Sequence, residues 1–187
     1  MAKDNLYDVW ARRTPQFEIQ FEEISRQFTE YGGGSVESMS SKGKIYGAGY
    51  ELYIYAFFIG LYSNKRKVLN NETKSFGHAL QFWGNLDSKK FRKAYPKLRE
   101  YIFAALIAKT DEFDLIALER EDINERKAVD FLINTMEQYA NFGFYSIEEK
   151  LKEDPNYFFK TTGFLDYIID CTHHSKDIDK NEILEEL

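Results

Sequence analysis

Cysteine is almost missing from this sequence. Cys171 stands alone in 187 residues, so no disulfide can form within the chain and the stapled scaffold of small secreted domains is excluded. Proline is equally scarce, with 3 residues, and glycine reaches only 11, which excludes a collagen-like or low-complexity chain. Long hydrophobic runs are absent as well. The most apolar stretch, Leu52 to Tyr62, falls far short of the roughly twenty residues that cross a bilayer and reads as a buried helix. Met1 to Arg13 lacks the basic flank and apolar core of a signal peptide, so the expected address is cytoplasmic, with no membrane partner.

Catalytic and cofactor signatures are also lacking. There is no G-x-S-x-G, and Gly43 to Gly49 does not carry the order of a Walker loop. Gly47-Ala48-Gly49 lacks the third glycine of a dinucleotide fingerprint. Cys171, His173 and His174, with Asp170 beside them, are the only gathering of good transition-metal ligands. Residues 171 and 173 point about 200° apart on a helix, so no metal site is expected there. No cofactor is expected either.

What the chain does have is apolar and aromatic mass: 43% hydrophobic residues, with 16 Phe and 13 Tyr, enough for a substantial core. The expected fold is all-α, a single-domain bundle of six to eight helices over residues 1–174 around a central apolar helix at 47–62, with a charged tail at 175–187. Thr14-Pro15 predicts a helix start, and Phe17, Phe21, Ile24 and Phe28 a four-turn amphipathic helix ending at Gly32-Gly33-Gly34. Residues 63–75 read as a polar, basic loop, and Phe76 to Trp83 as a short helix or aromatic tuck. Pro96 predicts the start of a helix striped by Leu98, Ile102, Phe103, Leu106 and Ile107. Glu119 to Phe142 predicts the longest helix, stopping near Gly143, with Ile147 to Leu151 and Phe158 to Cys171 as further pieces parted by Asp154-Pro155.

Charge is unevenly distributed. The net charge is -6, yet residues 63 to 99 hold ten lysines and arginines against Glu72 and Asp87, and residues 110 to 187 hold eight against twenty acids. Within the basic stretch Lys89, Lys90, Arg92, Lys93, Lys97 and Arg99, interleaved with Phe91 and Tyr95, combine positive charge with aromatic surface in the manner of a phosphate-binding face, and Tyr95 could stack on a base. The alternative is that these cations solvate a helix entrance or pair with the acidic C-terminal part. Asp111, Glu112, Asp114, Glu119, Glu121 and Asp122 cluster near a helix start, where the helix dipole favours acids. Glu51 sits in the most apolar helix and would need a partner such as Arg99, Lys109 or Arg126, or a pocket. His78, among Phe76, Phe82 and Trp83, reads as a packed or capping histidine.

Gly47-Ala48-Gly49-Tyr50-Glu51-Leu52-Tyr53-Ile54-Tyr55-Ala56-Phe57-Phe58 resembles the glycine-tyrosine-acid turn before a helix in small DndE-type proteins encoded in DNA phosphorothioation loci. The resemblance implies a role linked to nucleic acid and transfers no site residue; this chain is longer and more acidic than that family. The function expected is a non-catalytic binding or adaptor protein of a prokaryotic nucleic-acid processing or defence system, acting through residues 89–99. The alternatives are an oligomeric protein-protein scaffold and an enzyme using Glu51 or His78 in an aromatic pocket.

Overall fold

A computed structural model describes residues 5–29, 46, 48–84, 97–110 and 124–172. These are mostly helical, with one two-stranded sheet. The helices are α1 (Leu6–Ala11), α2 (Glu22–Phe28), α3 (Gly49–Tyr62), α4 (Leu98–Ala108), α5 (Glu125–Glu153) and α6 (163–172); the strands are β1 (Gln16–Glu18) and β2 (Thr73–Ser75). The helical character expected from the sequence is present; the sheet departs from an all-α reading. Among the described residues no helix is long and apolar enough to cross a membrane. The chain divides into two compact units interleaved in sequence: Met1–Phe17 with Thr73–Glu137, and Glu18–Glu72 with Gln138–Leu187.

In the first unit, Asn5 caps α1 by accepting the Asp8 amide at 2.9 Å, which satisfies one of the orphan donors at the helix start. Tyr7 and Trp10 of α1 then pack on Phe103 of α4, both ring pairs at 5.3 Å. Four-turn helical geometry does not begin at Thr14-Pro15. The Pro15 carbonyl accepts the Phe76 amide at 2.8 Å, and the Gln16 side-chain oxygen accepts from the Thr73 hydroxyl at 2.8 Å. Pairing with β2 therefore holds this segment extended. Phe17 still reaches the interior, edge-on to Phe76 at 4.7 Å. Phe76 to Trp83 is the aromatic tuck: a short 3-10 turn at Leu80–Phe82, with the Trp83 indole N–H donating to the His78 carbonyl.

The second unit is built on α3 and the C-terminal part of α5. Nearly every residue of α3 from Leu52 to Leu61 is buried, as an all-round apolar helix requires. Two glycines set its approach to α5. Gly60 faces the Tyr139 backbone and Gly143 faces the Ala56 backbone, each so closely that an added Cβ would lie under 3 Å from backbone atoms. The pairs 56 with 143 and 60 with 139 step one turn in opposite directions, which makes the two segments antiparallel. Gly143 is thus a contact residue inside α5, not its end, and the helix continues to Glu153 before Asp154-Pro155 stops it. The rest of this core is aromatic: Phe28 meets Phe158, Phe159 and Phe164, and Phe21 stacks on Phe144 at 5.3 Å.

Candidate functional site

The end of α3 is a Schellman turn. Asn64 takes φ 50°, the Lys65 amide returns to the Gly60 carbonyl at 3.0 Å, and the Asn64 amide bonds the Leu61 carbonyl at 3.2 Å. Asparagine tolerates this left-handed conformation better than most non-glycine residues, so Ser63-Asn64 both ends the helix and aims the following chain. That chain, residues 65–72, has no regular structure and is held against α5 through Lys67, Val68 and Asn71.

Its cations form a row over aromatic rings of α5. Lys67 Nζ lies 3.5 Å from the Tyr145 ring centroid, Lys65 Nζ 5.8 Å from Phe142, and the Arg66 guanidinium 6.0 Å from Tyr139. Tyr139, Phe142 and Tyr145 recur every three residues, a spacing that places successive rings on adjoining parts of the helix surface. Each contact at an exposed site contributes about 0.5–1 kcal/mol, enough to bias the side chains without removing their ammonium or guanidinium donors from solvent. All three cations are exposed, and none forms an ion pair with a described residue. Three residues before Lys65 in sequence, Tyr62 stacks on Phe58 at 5.7 Å with an interplanar angle of 24°, and remains 44% exposed.

Beneath this row a buried carboxylate fixes the backbone. Glu18 is 0% exposed; one of its oxygens accepts from the Asn70 amide at 2.9 Å and from Asn141 Nδ2 at 3.2 Å. The other accepts from Gln20 at 2.6 Å, Asn71 Nδ2 at 2.8 Å and the Tyr145 hydroxyl at 2.8 Å. Burial by itself would raise the Glu18 carboxyl, but the hydrogen bonds from Asn71, the Asn70 amide, Tyr145 and Asn141 outweigh it and hold the group below its ordinary value. Burial, and then donation to Glu18, pushes the Tyr145 phenol up. Asn141 also donates to the Lys67 and Val68 carbonyls at 3.2 Å each, and the Lys67 amide donates to the Gln138 carbonyl at 3.0 Å. Neutral donors, not lysines, therefore satisfy Glu18, and the loop that carries the three cations is clamped at its backbone.

The residues singled out from the sequence are distributed differently. Lys89, Lys90, Arg92, Lys93 and Tyr95 lie outside the described residues, as do the acids at 111–122, His173, His174 and the tail. Lys97 is exposed in the turn before α4. Arg99 donates to the Gln81 carbonyl, an uncharged partner, while its buried Nε has no hydrogen-bond partner among the described residues. It lines a cavity of about 390 Å³ in the first unit with Tyr7, Asp8, Ala11, Arg12 and Gln81. Glu51 needs neither a basic partner nor a pocket, because it stands at the third position of α3 and its carboxylate accepts the Ala48 amide at 3.2 Å. This is half of a capping box, since Ala48 has no side-chain oxygen to complete it. His78 is exposed rather than packed, its ring edge-on to Phe82 at 6.5 Å. Burial raises the Cys171 thiol, and among the described residues no group of three or more His, Cys, Asp or Glu gathers as metal ligands would.

The sequence reading missed Lys65, Arg66 and Lys67 as a site, although it counted them in the basic surplus. No family model, curated protein or solved structure matches this chain.

Proposed function

We propose that this chain is a non-catalytic binding module for nucleic acid, of the kind used as an adaptor in prokaryotic nucleic-acid processing or defence assemblies. One observation carries the reading: three consecutive cations, Lys65-Arg66-Lys67, stand exposed on a clamped backbone without an acid partner among the described residues. Adjacent like charges repel one another, and a phosphate backbone relieves that repulsion while releasing its own counterions. In the other unit Lys97 is exposed, and Arg99 is bonded to a carbonyl and to no carboxylate among the described residues. The resemblance of residues 47–58 to DndE-type proteins points in the same direction.

The test is binding of labelled oligonucleotides across a salt series. Three phosphate contacts predict a log-log slope of about -2 on single strands, so affinity falls about twentyfold between roughly 50 and 200 mM salt. The triple variant K65A/R66A/K67A flattens that slope towards zero if these residues are the contacts. A triple variant with unchanged affinity and slope refutes the assignment, and a parallel variant of Lys89, Lys90, Arg92 and Lys93 then tests the other basic cluster.

A second reading has an observation of its own. Leu165 is 57% and Ile169 41% exposed, one turn apart on α6, with Phe159 nearby in sequence and 42% exposed. Such a stripe suits a protein-protein scaffold. Sedimentation showing monomer alone across the micromolar range counts against its homo-oligomeric form.

A further inference from the structure

We infer that the nucleic acid taken by this face is single-stranded, with a base stacked on Tyr62 and the adjoining phosphates on Lys65, Arg66 and Lys67; this rests on the nucleic-acid reading above. Two features of the Tyr62 ring support it. The ring is backed by Phe58 in a near-parallel stack at 5.7 Å, so its position is fixed, and 44% of the residue remains exposed, which leaves surface for another planar group. Other aromatic residues of the same helix turn inward, Tyr53 and Phe57 both at 0% exposure, whereas Tyr62 does not.

Spacing supports the pairing of ring and cations. Ser63 and Asn64 alone separate Tyr62 from Lys65, and the Schellman turn holds them in one geometry, with Lys65 bonded back to Gly60. A ring and three cations within six consecutive residues put both kinds of contact on one short segment, as a strand in which each base carries its own phosphate requires. Single-strand binders commonly combine these parts: an aromatic platform that accepts any base face and a positive track that follows the backbone. A duplex keeps its bases stacked inside and offers Tyr62 no face, so it engages the cations alone. The contact is therefore sequence-tolerant, because stacking reads the π-face and not the hydrogen-bonding edge.

Fluorescence anisotropy on the full-length chain tests this with oligothymidylate and oligoriboadenylate of about 20 nucleotides, longer than the ~4–16 nucleotides covered by known single-strand folds, and with a duplex of similar length. The expected result is tighter binding of the single strands and a loss of about tenfold on them for Tyr62→Ala, with Tyr62→Phe retaining most of the affinity, since the ring and not the hydroxyl stacks. The duplex affinity stays within about twofold for both variants. Equal binding of strand and duplex, or single-strand affinity unaffected by Tyr62→Ala, overturns the inference. If K65A/R66A/K67A still removes binding in that case, the nucleic-acid reading stands and only the stacking is wrong; if the triple variant binds normally, that reading fails too. Circular dichroism of Tyr62→Ala guards against misfolding, and Tyr62→Leu, which keeps apolar cover on Phe58 but has no π-face, must lose affinity as Tyr62→Ala does.

Discussion

Replacing Gly143 by Ala sets two effects of opposite sign against each other. In a helix interior the change should stabilise by about 1 kcal/mol, because glycine loses more backbone freedom on folding. Against that, the new Cβ would lie 2.7 Å from the Ala56 Cα and closer still to its carbonyl carbon and oxygen, where ordinary contact starts at 3.4 Å. The obstacle is backbone, so no rotamer change relieves it; clearing the Cα alone takes about 0.7 Å, and the nearer carbonyl atoms force α3 and α5 further apart along a buried face. Overpacking of this kind costs about 1–3 kcal/mol or more, and a backbone clash belongs at the upper end. The net is a destabilisation of about 2 kcal/mol, or about 4–8 °C in Tm for a chain of this size. Gly60→Ala meets Tyr139 C and Cα at 2.8 and 2.9 Å and should behave alike. Because one separation makes room for both methyl groups, G60A/G143A should cost less than the sum of the single changes. Urea and thermal unfolding followed by far-UV circular dichroism measures this. Tryptophan fluorescence does not suit, since Trp10 and Trp83 both lie in the first unit. A Tm equal to or above the parent's for Gly143→Ala refutes the close crossing.

The other predictions concern the clamp under the basic row. Glu18 has its folded pKa held below the unfolded value, so its stabilisation is fully present above about pH 4.3 and is lost as pH falls through the folded pKa. Glu18→Gln, which turns an amide towards several donors, should lose about 2–4 kcal/mol at neutral pH, and the gap to the parent should narrow towards pH 3 in urea titrations; a gap independent of pH contradicts the assignment. Asn141→Leu removes the bonds to the Lys67 and Val68 carbonyls and one of the donors to Glu18 without changing any formal charge. It should lower nucleic-acid affinity at low salt severalfold while leaving the salt slope near its parent value, whereas loss of slope would mean that Asn141 does more than position the loop.

Much of the helical framework can be read from the sequence, and the departures have identifiable causes. The all-round apolar pattern of Leu52 to Leu61 marks a buried helix, and the stripe of Val129, Leu132, Ile133 and Met136 marks the face of α5 that is buried. The expected stop at Gly143 fails because glycine serves two purposes that a single sequence does not separate, a left-handed cap and a site of close helix approach. Phe17, Phe21, Ile24 and Phe28 are all buried, as a helical stripe requires, yet Phe17 belongs to a strand. Its partner strand, Thr73-Lys74-Ser75, has no apolar alternation to announce it.

The proposed site was legible as a charge balance but not as a place. Lys65, Arg66 and Lys67 carry no local signal beyond their charge, and a basic run after a helix is ordinarily a solvated loop. What distinguishes this run are Tyr139, Phe142 and Tyr145, more than seventy residues further along the chain, whose rings face the cations only once α3 and α5 have closed on Gly60 and Gly143. Glu18 was hidden for a similar reason: between Phe17 and Ile19 a carboxylate should point to water on either a helix or a strand, and its burial is tolerable only because Asn70, Asn71, Gln20, Asn141 and Tyr145 converge on it from three separate segments. A buried carboxylate that draws its donors from the loop bearing the cations links the stability of the unit to the order of the row. The burial of Glu18 alone requires these hydrogen bonds, but for the proposed contact surface they have a second consequence, because a backbone held in place before binding reduces the entropy lost on binding.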